Sequence, residues 1–543
     1  MNSHQLHDLG GGTPSGLLAQ RAGWMPDKAA LLFEDERWTY RELDDAVSRI
    51  AAGMLALGLV KGDRAATLLN NRSEYLTTGI GANRAGLVGV PINNAFKAGF
   101  LRAPLERTSA RLVITESALN DAMLSLGTLP TSVRTLVYVD EVPDQVPAGA
   151  DRVLSLRELE GLGAPEPAFP PVGPHDTNGI LFTSGTTGRS KGVVCPNLMG
   201  LTMAKEHVEV FEITPRDRML TCFPMYHGMA QVVTCLAAIY AGATAVLRPG
   251  FSLATFWDEV RRYEATQFNA LGVVLNLLLA VPESDTDRDH AVTRVFSAPA
   301  PPEALYRFET RFGVHLIEGY GQTEVKNVLY NPWRGRRVGS MGLPTPSSIV
   351  EVHDEHGNQV QPGEVGEVVY RPRQASVMAS GYLEDPEATL TAMRGLWWHT
   401  GDMATTDEDG YFYFHDRKAD SLRRRGENIS SAEVEEVLAT FPGVQVAAAV
   451  RAQSELGEHE VLAVLSVTDK DAFDPAGLWQ HCVERMPRFM VPRYVRLVDP
   501  MPFTPTGKVR KVELRDEGVT ADTWDSVAQG LTVPKPNRAG SAS

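Results

Sequence analysis

Residues 181–192 read LFTSGTTGRSKG and follow directly on the apolar run 178–182. No other stretch constrains the fold as much. The glycines Gly185, Gly188 and Gly192 let the backbone turn so that successive amides point inward, while Thr183, Ser184, Thr186, Thr187 and Lys191 add hydroxyls and a cation. Together they make an anion pocket suited to a polyphosphate. A flexible Gly/Ser/Thr linker is the plain alternative, and the buried strand ahead of the loop argues against it. The P-loop pattern GxxxxGK[ST] does not fit, since it needs glycine where Ser190 stands and a hydroxyl where Gly192 stands.

The surrounding chain alternates in the α/β manner. Thr39 and Glu42 form a capping box, Leu43, Val47, Ile50, Met54 and Leu57 recur at helical spacing, and Gly58 stops the helix. Apolar runs at 65–69 and 87–92 flank a second helical stretch, which argues for a sheet with crossover helices. Residues 142–176 are rich in Pro, Gly and Ala and read as a connection; a second α/β portion spans about 201–331. Between 338 and 414 helix signals fade and short β runs dominate, predicting a small β-rich subdomain. A new unit begins near Arg417, with Ser430 and Glu433 capping a helix that contains Val434, Val437 and Leu438, then strands at 446–450 and 461–467. Beyond Trp524 the chain turns polar and small, which predicts disorder.

Composition sets the outer limits. A chain of 543 residues exceeds one hydrophobic core. Its 52 Lys and Arg against 67 Asp and Glu leave a net charge of -15, which argues against a nucleic-acid partner but not against a small nucleotide. Cys195, Cys222, Cys235 and Cys482 show neither paired spacing nor a CxxC, so reduced buried thiols are expected. Without a signal layout or an apolar stretch long enough to span a bilayer, a cytoplasmic location and no stable membrane association are expected.

Five strings, in order, carry a resemblance. TSGTTGRSKG at 183–192, EGYGQTE at 318–324, WHTGD at 398–402, Asp416-Arg417 followed by RGEN at 425–428, and PTGK at 505–508 resemble the motifs of the adenylate-forming superfamily of acyl-CoA synthetases, luciferases and peptide-synthetase adenylation domains. The stretch DSLRRRGENIS at 420–430 is similar to the carnitine/crotonobetaine-CoA ligase branch. The resemblance implies an α/β fold with a large N-terminal adenylating domain (1–416) of two α/β subdomains plus a distorted β-barrel-like subdomain. It also implies a small mobile α+β lid domain (417–525) and a flexible tail (526–543). The implied chemistry is an AMP-forming acid–thiol ligase: ATP and Mg²⁺ convert a carboxylic acid to an acyl-adenylate, and coenzyme A then takes the acyl group. Transfer to a carrier protein or an amine is the alternative, and a homodimer is a further candidate assembly.

The same resemblance assigns the residues. ATP falls to Thr183, Ser184, Gly185, Thr186, Thr187, Gly188 and Lys191, to Ser297, Ala298 and Pro299 beside the adenine, to Glu318, Gly319, Tyr320, Gly321, Gln322 and Thr323, and to Asp402 (ribose), Arg417 and Lys508. Glu324 with Thr183 is implied to hold the metal. Lys508 is the implied catalytic cation of the first half-reaction, with Lys191 and His227 as further catalytic groups. Taken singly, Asp402 would equally cap a turn, Arg417 join a surface ion pair, and His227 sit as a satisfied core histidine. Tyr226 and His227, in FPMYH, match the acyl-lining segment, and no aspartate stands there to pair with an amino acid's amine. By position Gly272, Val274, Gly319, Val325 and Lys326 are candidate acyl-pocket walls; glycine at two of them suggests room for a ringed acid, and Lys326 suits a structural salt bridge or a polar substrate group. Arg425, Gly426 and Glu427 lie on the implied CoA path. The sequence departs from the pattern at Ala419, where relatives carry an Asp or Lys hinge pivot, at Arg425 for a common glycine, and at Ser190, Asn197 and Ser297.

Overall fold

A computed structural model describes residues 9–164, 167–183, 191–298, 302–417, 422–424, 427–429, 431–453, 459–486, 490–504 and 507–533. Strand β1 (Ala29–Phe33) turns back on β2 (Glu36–Thr39), and the chain then enters the helix Tyr40–Ala56 through the predicted capping box, with Thr39 and Glu42 satisfying each other's backbone amides. That helix buries Leu43, Val47, Ile50 and Met54 on one side, the stripe that the spacing dictates.

The first sheet comprises β3 (Arg64–Leu68), β4 (Val88–Pro91), β5 (Leu112–Thr115), β6 (Thr135–Tyr138), β7 (Arg152–Ser155), β8 (Thr177–Phe182) and β9 (Gly192–Pro196), in the order β7-β6-β5-β3-β4-β8-β9. All neighbours are parallel except β8 and β9. The stretch read as a plain connection, 142–176, supplies β7 and the helix Leu156–Leu162, which opens on a second capping box, Ser155 with Glu158. Its Pro/Gly content masks a strand of only four residues, too short for periodicity to register.

The second sheet adds β10 (Arg218–Thr221), β11 (Thr244–Leu247), β12 (Gln267–Ala270), β13 (Arg294–Ser297), β14 (His315–Gln322), β15 (Lys326–Tyr330) and β16 (Leu343–Pro344) to the opening hairpin, in the order β16-β15-β14-β13-β12-β10-β11-β1-β2. One apolar core serves both sheets: Leu112, Ile114 and Val137 of the first, Met219, Leu247 and Ile317 of the second, and Leu43, Val47 and Leu201 of the helices between. Separate cores cover the outer faces, around Leu101 and Leu136 on one side and Phe256 and Phe308 on the other. The result is five layers, helix–sheet–helix–sheet–helix.

The predicted β-rich subdomain is a five-stranded antiparallel sheet of β17 (Ser348–His353), β18 (Gly366–Pro372), β19 (Met393–Arg394), β20 (Trp397–Thr406) and β21 (Phe412–Arg417). The C-terminal unit pairs β22 (Leu422–Arg424) with β23 (Glu427–Ile429) and builds a sheet from β24 (Val444–Gln453), β25 (His459–Val467), β26 (Tyr494–Leu497) and β27 (Trp524–Asp525). Alternation along β25 sends Val461, Ala463 and Leu465 to one core and Leu462 and Val464 to the other. The expected tail is shorter than the composition predicts: Leu531 and Val533 pack on the first of these cores, so 526–533 belongs to the domain. Ser430, and residues 534–543 of the tail, lie outside the described residues.

Candidate active site

Topology alone marks two crevices. In the first sheet the connection from β3 runs to β4 on one side and that from β5 to β6 on the other; in the second, β10 leads to β11 while β12 leads to β13 in the opposite direction. Where connections diverge in this way the loops at the carboxyl ends part, and ligands bind there. The crevice between β3 and β5 receives residues 70–72 and Glu116, and the crevice between β10 and β12 receives 222–228 and 271–272.

One end of the site is a lattice of hydrogen bonds. At the mouth of the loop after β8, the Thr183 amide donates to Lys191 O (3.0 Å) and the Lys191 amide to Thr183 Oγ1 (3.3 Å). The Lys191 ammonium lies 4.7 Å from the centre of the Tyr382 ring, and the Tyr382 hydroxyl donates to Glu324 Oε1 at 2.9 Å. Burial, then the Glu324 charge, raises the Tyr382 pKa, so the phenol keeps its proton. Tyr382 is itself fixed by backbone pairing of 380–383 with β9, including Leu383 N to Gly192 O at 2.7 Å. Asp402 on β20 is 3% exposed, and its Oδ2 accepts from both the Tyr320 hydroxyl (2.6 Å) and Gln322 Nε2 (2.7 Å). Glu318, buried midway along β14 and paired in register with Ser297, accepts from the Gly339 amide at 3.2 Å. Ser297 is buried at the end of β13, with Ala298, Thr323 and Glu324 half-buried beside the same strand ends. Arg417 faces Asp402 across the β20–β21 ladder. Gly321 has to be glycine: a Cβ there would lie 2.2 Å from Lys326 O, where the β14–β15 register slips.

The other end is a loop with an open valence. His227 precedes a π-helix, Met229–Leu236, a wide helical turn of the kind that recurs at functional sites. Its Nε2 is buried and, among the described residues, has no hydrogen-bond partner. Burial, with the Lys508 ammonium adding to it, pushes the His227 pKa down to about 4. The imidazole is therefore neutral at pH 7, with one nitrogen free for a ligand. Lys508 itself projects from a tight turn in which Thr504 N donates to Lys508 O (2.6 Å) and Lys508 N to Thr504 Oγ1 (3.1 Å). The fold thus brings Lys508 of the C-terminal unit to His227 of the second sheet, 281 residues away in sequence, close enough for its charge to be felt.

The AMP-binding enzyme family matches residues 18–383, and its C-terminal domain matches 433–508. The chain belongs to that family. It is an AMP-forming acid–thiol ligase of the acyl-CoA synthetase branch, using ATP, Mg²⁺ and coenzyme A. The crotonobetaine/carnitine–CoA ligase of Salmonella typhimurium LT2 is 30% identical over 506 residues, covering 91% of this chain and 97% of its own; that of Salmonella paratyphi C is 31% identical over 522. Among solved structures, an anthranilate CoA ligase bound to anthranoyl-AMP superposes with a TM-score of 0.84 at 24% identity, over 96% of this chain and 98% of its own, which speaks to the fold. The o-succinylbenzoate CoA synthetase of Bacillus subtilis, in complex with ATP and a magnesium ion, does so with 0.80 at 25%, over 92% and 98%. Among the described residues no helix is long and apolar enough to cross a membrane.

Within this AMP-binding enzyme several predicted positions change meaning. Gly319 does not open a cavity: a Cβ there would meet Phe296 at 2.8 Å and Tyr330 at 3.1 Å, so its glycine permits close packing, not room for a ring. Val325 is wholly buried in the core of the β-rich subdomain, and Val274 in the outer core of the second sheet, so neither presents a pocket wall. Gly272 does stand at the carboxyl end of β12, half-buried, where it opens the helix Gly272–Ala280. Lys326 forms the structural salt bridge: its Nζ lies 2.6 Å from Glu206 Oε2 and also reaches Thr345 Oγ1 (3.1 Å), with both charged side chains essentially inaccessible. Ser184, Gly185, Thr186, Thr187, Gly188, Pro299, Ala419, Arg425 and Gly426 lie outside the described residues. Tyr382 escaped the sequence reading; an aromatic residue 58 positions from Glu324 carries no local signal.

Proposed function

We propose that the two ends divide the reaction between them: the lattice around Lys191, Glu324, Tyr320 and Asp402 holds the nucleotide, and the Tyr226–His227 loop holds the carboxylic acid. The acid's oxygen attacks the α-phosphorus of ATP, an acyl–AMP mixed anhydride forms, and pyrophosphate leaves. Two anions must approach for this, so fixed positive charge in a partly dehydrated site carries most of the acceleration. Lys508 supplies that charge to the attacking carboxylate and the α-phosphate, and Lys191 to the departing phosphates. The neutral His227 offers Nε2 as a hydrogen-bond partner to the acid, and the Asp402 carboxylate receives the ribose hydroxyls.

Glu324 suits Mg²⁺, a hard cation that takes one or two carboxylates and completes its shell with phosphate oxygens and water. Its carboxylate is half-buried and oriented by the Tyr382 hydroxyl. Held there by Glu324, with Thr183 beside it, the metal would supply positive charge to offset that of the phosphates. In the second half-reaction the Arg425, Gly426 and Glu427 segment takes the place of Lys508, with residue Ala419 as pivot, and the CoA thiol displaces AMP.

The observation that carries this reading is the buried His227 nitrogen that has no hydrogen-bond partner among the described residues, on a loop within range of the Lys508 charge. The relatives' acids supply a first panel: crotonobetaine, carnitine, anthranilate, benzoate and o-succinylbenzoate. Pyrophosphate and AMP release would be followed with MgATP, with and without CoA, and the thioester identified by mass. Acid-dependent pyrophosphate release, and a thioester only when CoA is present, are expected. Pyrophosphate release without any thioester would overturn the CoA step.

A further inference from the structure

The loop that carries Tyr226 and His227 has no regular secondary structure, so its backbone groups need partners from elsewhere. The Phe223 amide donates to Thr221 Oγ1 (3.2 Å), the His227 amide to Pro224 O (3.1 Å), and Gln231 Nε2 to Met225 O. The Gln231 amide also donates to His227 O (3.2 Å), and three further bonds tie the 223–225 and 248 backbone to one residue that follows β3 of the other sheet. Asn71, 7% exposed and three positions past the end of β3, donates Nδ2 to Phe223 O at 2.8 Å and to Arg248 O at 2.9 Å, and accepts the Met225 amide on Oδ1 at 2.8 Å. One amide fork thus ties together the chain leaving β10 and the chain leaving β11. It does so from the carboxyl end of β3, beside the crevice of the first sheet.

We propose that Asn71 is a positioning residue for the acid: it fixes the 223–227 turn so that Tyr226 and the free Nε2 of His227 meet the carboxylic acid in one orientation. The inference rests on the proposed function and extends it to a residue outside the substrate site. An amide suits the role because it alone among side chains of this length presents two donor hydrogens and an acceptor in one plane. Among the described residues Asn71 bonds to none of the nucleotide lattice: the Tyr320 hydroxyl and the Gln322 amide donate to Asp402, and the Tyr382 hydroxyl to Glu324.

The test uses the full chain and the acid of the panel above that turns over fastest, with initial pyrophosphate-release rates for wild type, Asn71→Ala and Asn71→Asp. The aspartate is isosteric; it keeps the acceptor for Met225 but turns an oxygen toward two carbonyls. Both variants should raise KM for the acid by about tenfold or more, as expected for buried acceptors left unpaired, while KM for ATP stays within about twofold. An acid KM in Asn71→Asp close to wild type would show that side-chain volume alone suffices and would sink the proposal, as would equal rises for acid and ATP. If Asn71→Ala does not accumulate as folded protein, Asn71→Asp decides alone. A wild type that releases no pyrophosphate with any acid removes the parent reading and this one together; an active wild type with an unaltered Asn71→Asp removes this one only.

Discussion

The proposed nucleotide end and the proposed acid end of the site are built on opposite plans. At the first, each charged group already has a partner: Asp402 takes two donors, Glu324 takes one, and Lys191 rests on an aromatic face. At the second, a buried nitrogen is left without one. The contrast follows from what each end must recognise. ATP is common to the whole family, so a rigid, prepaired lattice can serve it; the acid differs among relatives, and a loop with one open hydrogen-bonding position can be refitted around different chains. Preorganisation lowers the cost of binding the constant partner, and the held loop confines variation to a few side chains.

The largest expected effect belongs to the residue between the two ends. Lys508→Ala should lower pyrophosphate release by about a thousandfold, the scale of losing one transition-state charge donor, while nucleotide binding measured calorimetrically stays within a few-fold. If binding were lost as well, Lys508 would belong to the nucleotide lattice and the division into two ends would fail. Asp402→Ala comes next. It takes away the carboxylate to which the Tyr320 hydroxyl and the Gln322 amide donate, and with it the proposed ribose acceptor, so KM for ATP should rise about a hundredfold, on the scale of bonds to a charged group, and KM for the acid should hardly move.

His227→Gln acts on the acid end and should raise KM for the acid about tenfold, with KM for ATP unchanged. The same residue gives a pH signature. Its folded pKa, about 4, lies below the value of about 6.5 for a free histidine, so the unfolded chain binds the extra proton first. The stability it contributes is intact above pH 6.5 and drains away as pH falls toward 4. Thermal midpoints recorded across that window should fall less steeply for His227→Gln than for wild type. An equal slope would mean that the imidazole is not held neutral. Buried His207, with a pKa of about 3, contributes in the same direction in both proteins and does not cancel the comparison. The smallest effect is Tyr382→Phe, which keeps the ring under Lys191 but frees Glu324; KM for MgATP should rise about fivefold, and a larger rise in the Mg²⁺ concentration needed for half-maximal rate would sharpen the assignment to Glu324.

Legibility divides along the same line. Thr183, Lys191, Tyr320, Glu324 and Asp402 stand in short strings that resemble the motifs of the adenylate-forming superfamily, and the Thr39–Glu42 cap announces its helix in four letters. Each relies on neighbours a few positions apart. Asn71 with Phe223, Tyr382 with Glu324, and Glu206 with Lys326 are separated by 152, 58 and 120 positions, and only the packed sheets bring them together. Gly319 shows the limit from another side. A missing Cβ signals either empty space or a close neighbour, and the letter G is the same in both cases; Phe296 decides it. Lys326 reads as a salt bridge correctly, but its depth does not show in its spacing.

The π-helix behind His227 bears on how such a binding cavity can be reshaped. Over Met229–Leu236 the backbone bonds run i to i+5, so the segment holds more residues per turn than an ordinary helix. Deleting one residue there would let the coil tighten to the common pitch, which absorbs the loss, so the side chains downstream would keep nearly the same faces. Only the turn itself would change, including Thr234, which now receives Asn269 Nδ2 at 2.7 Å. On the opposite wall the same deletion in β12 would exchange its buried faces and break the sheet. Length, as well as side-chain identity, is thus a variable on the helical wall and a constant on the strand.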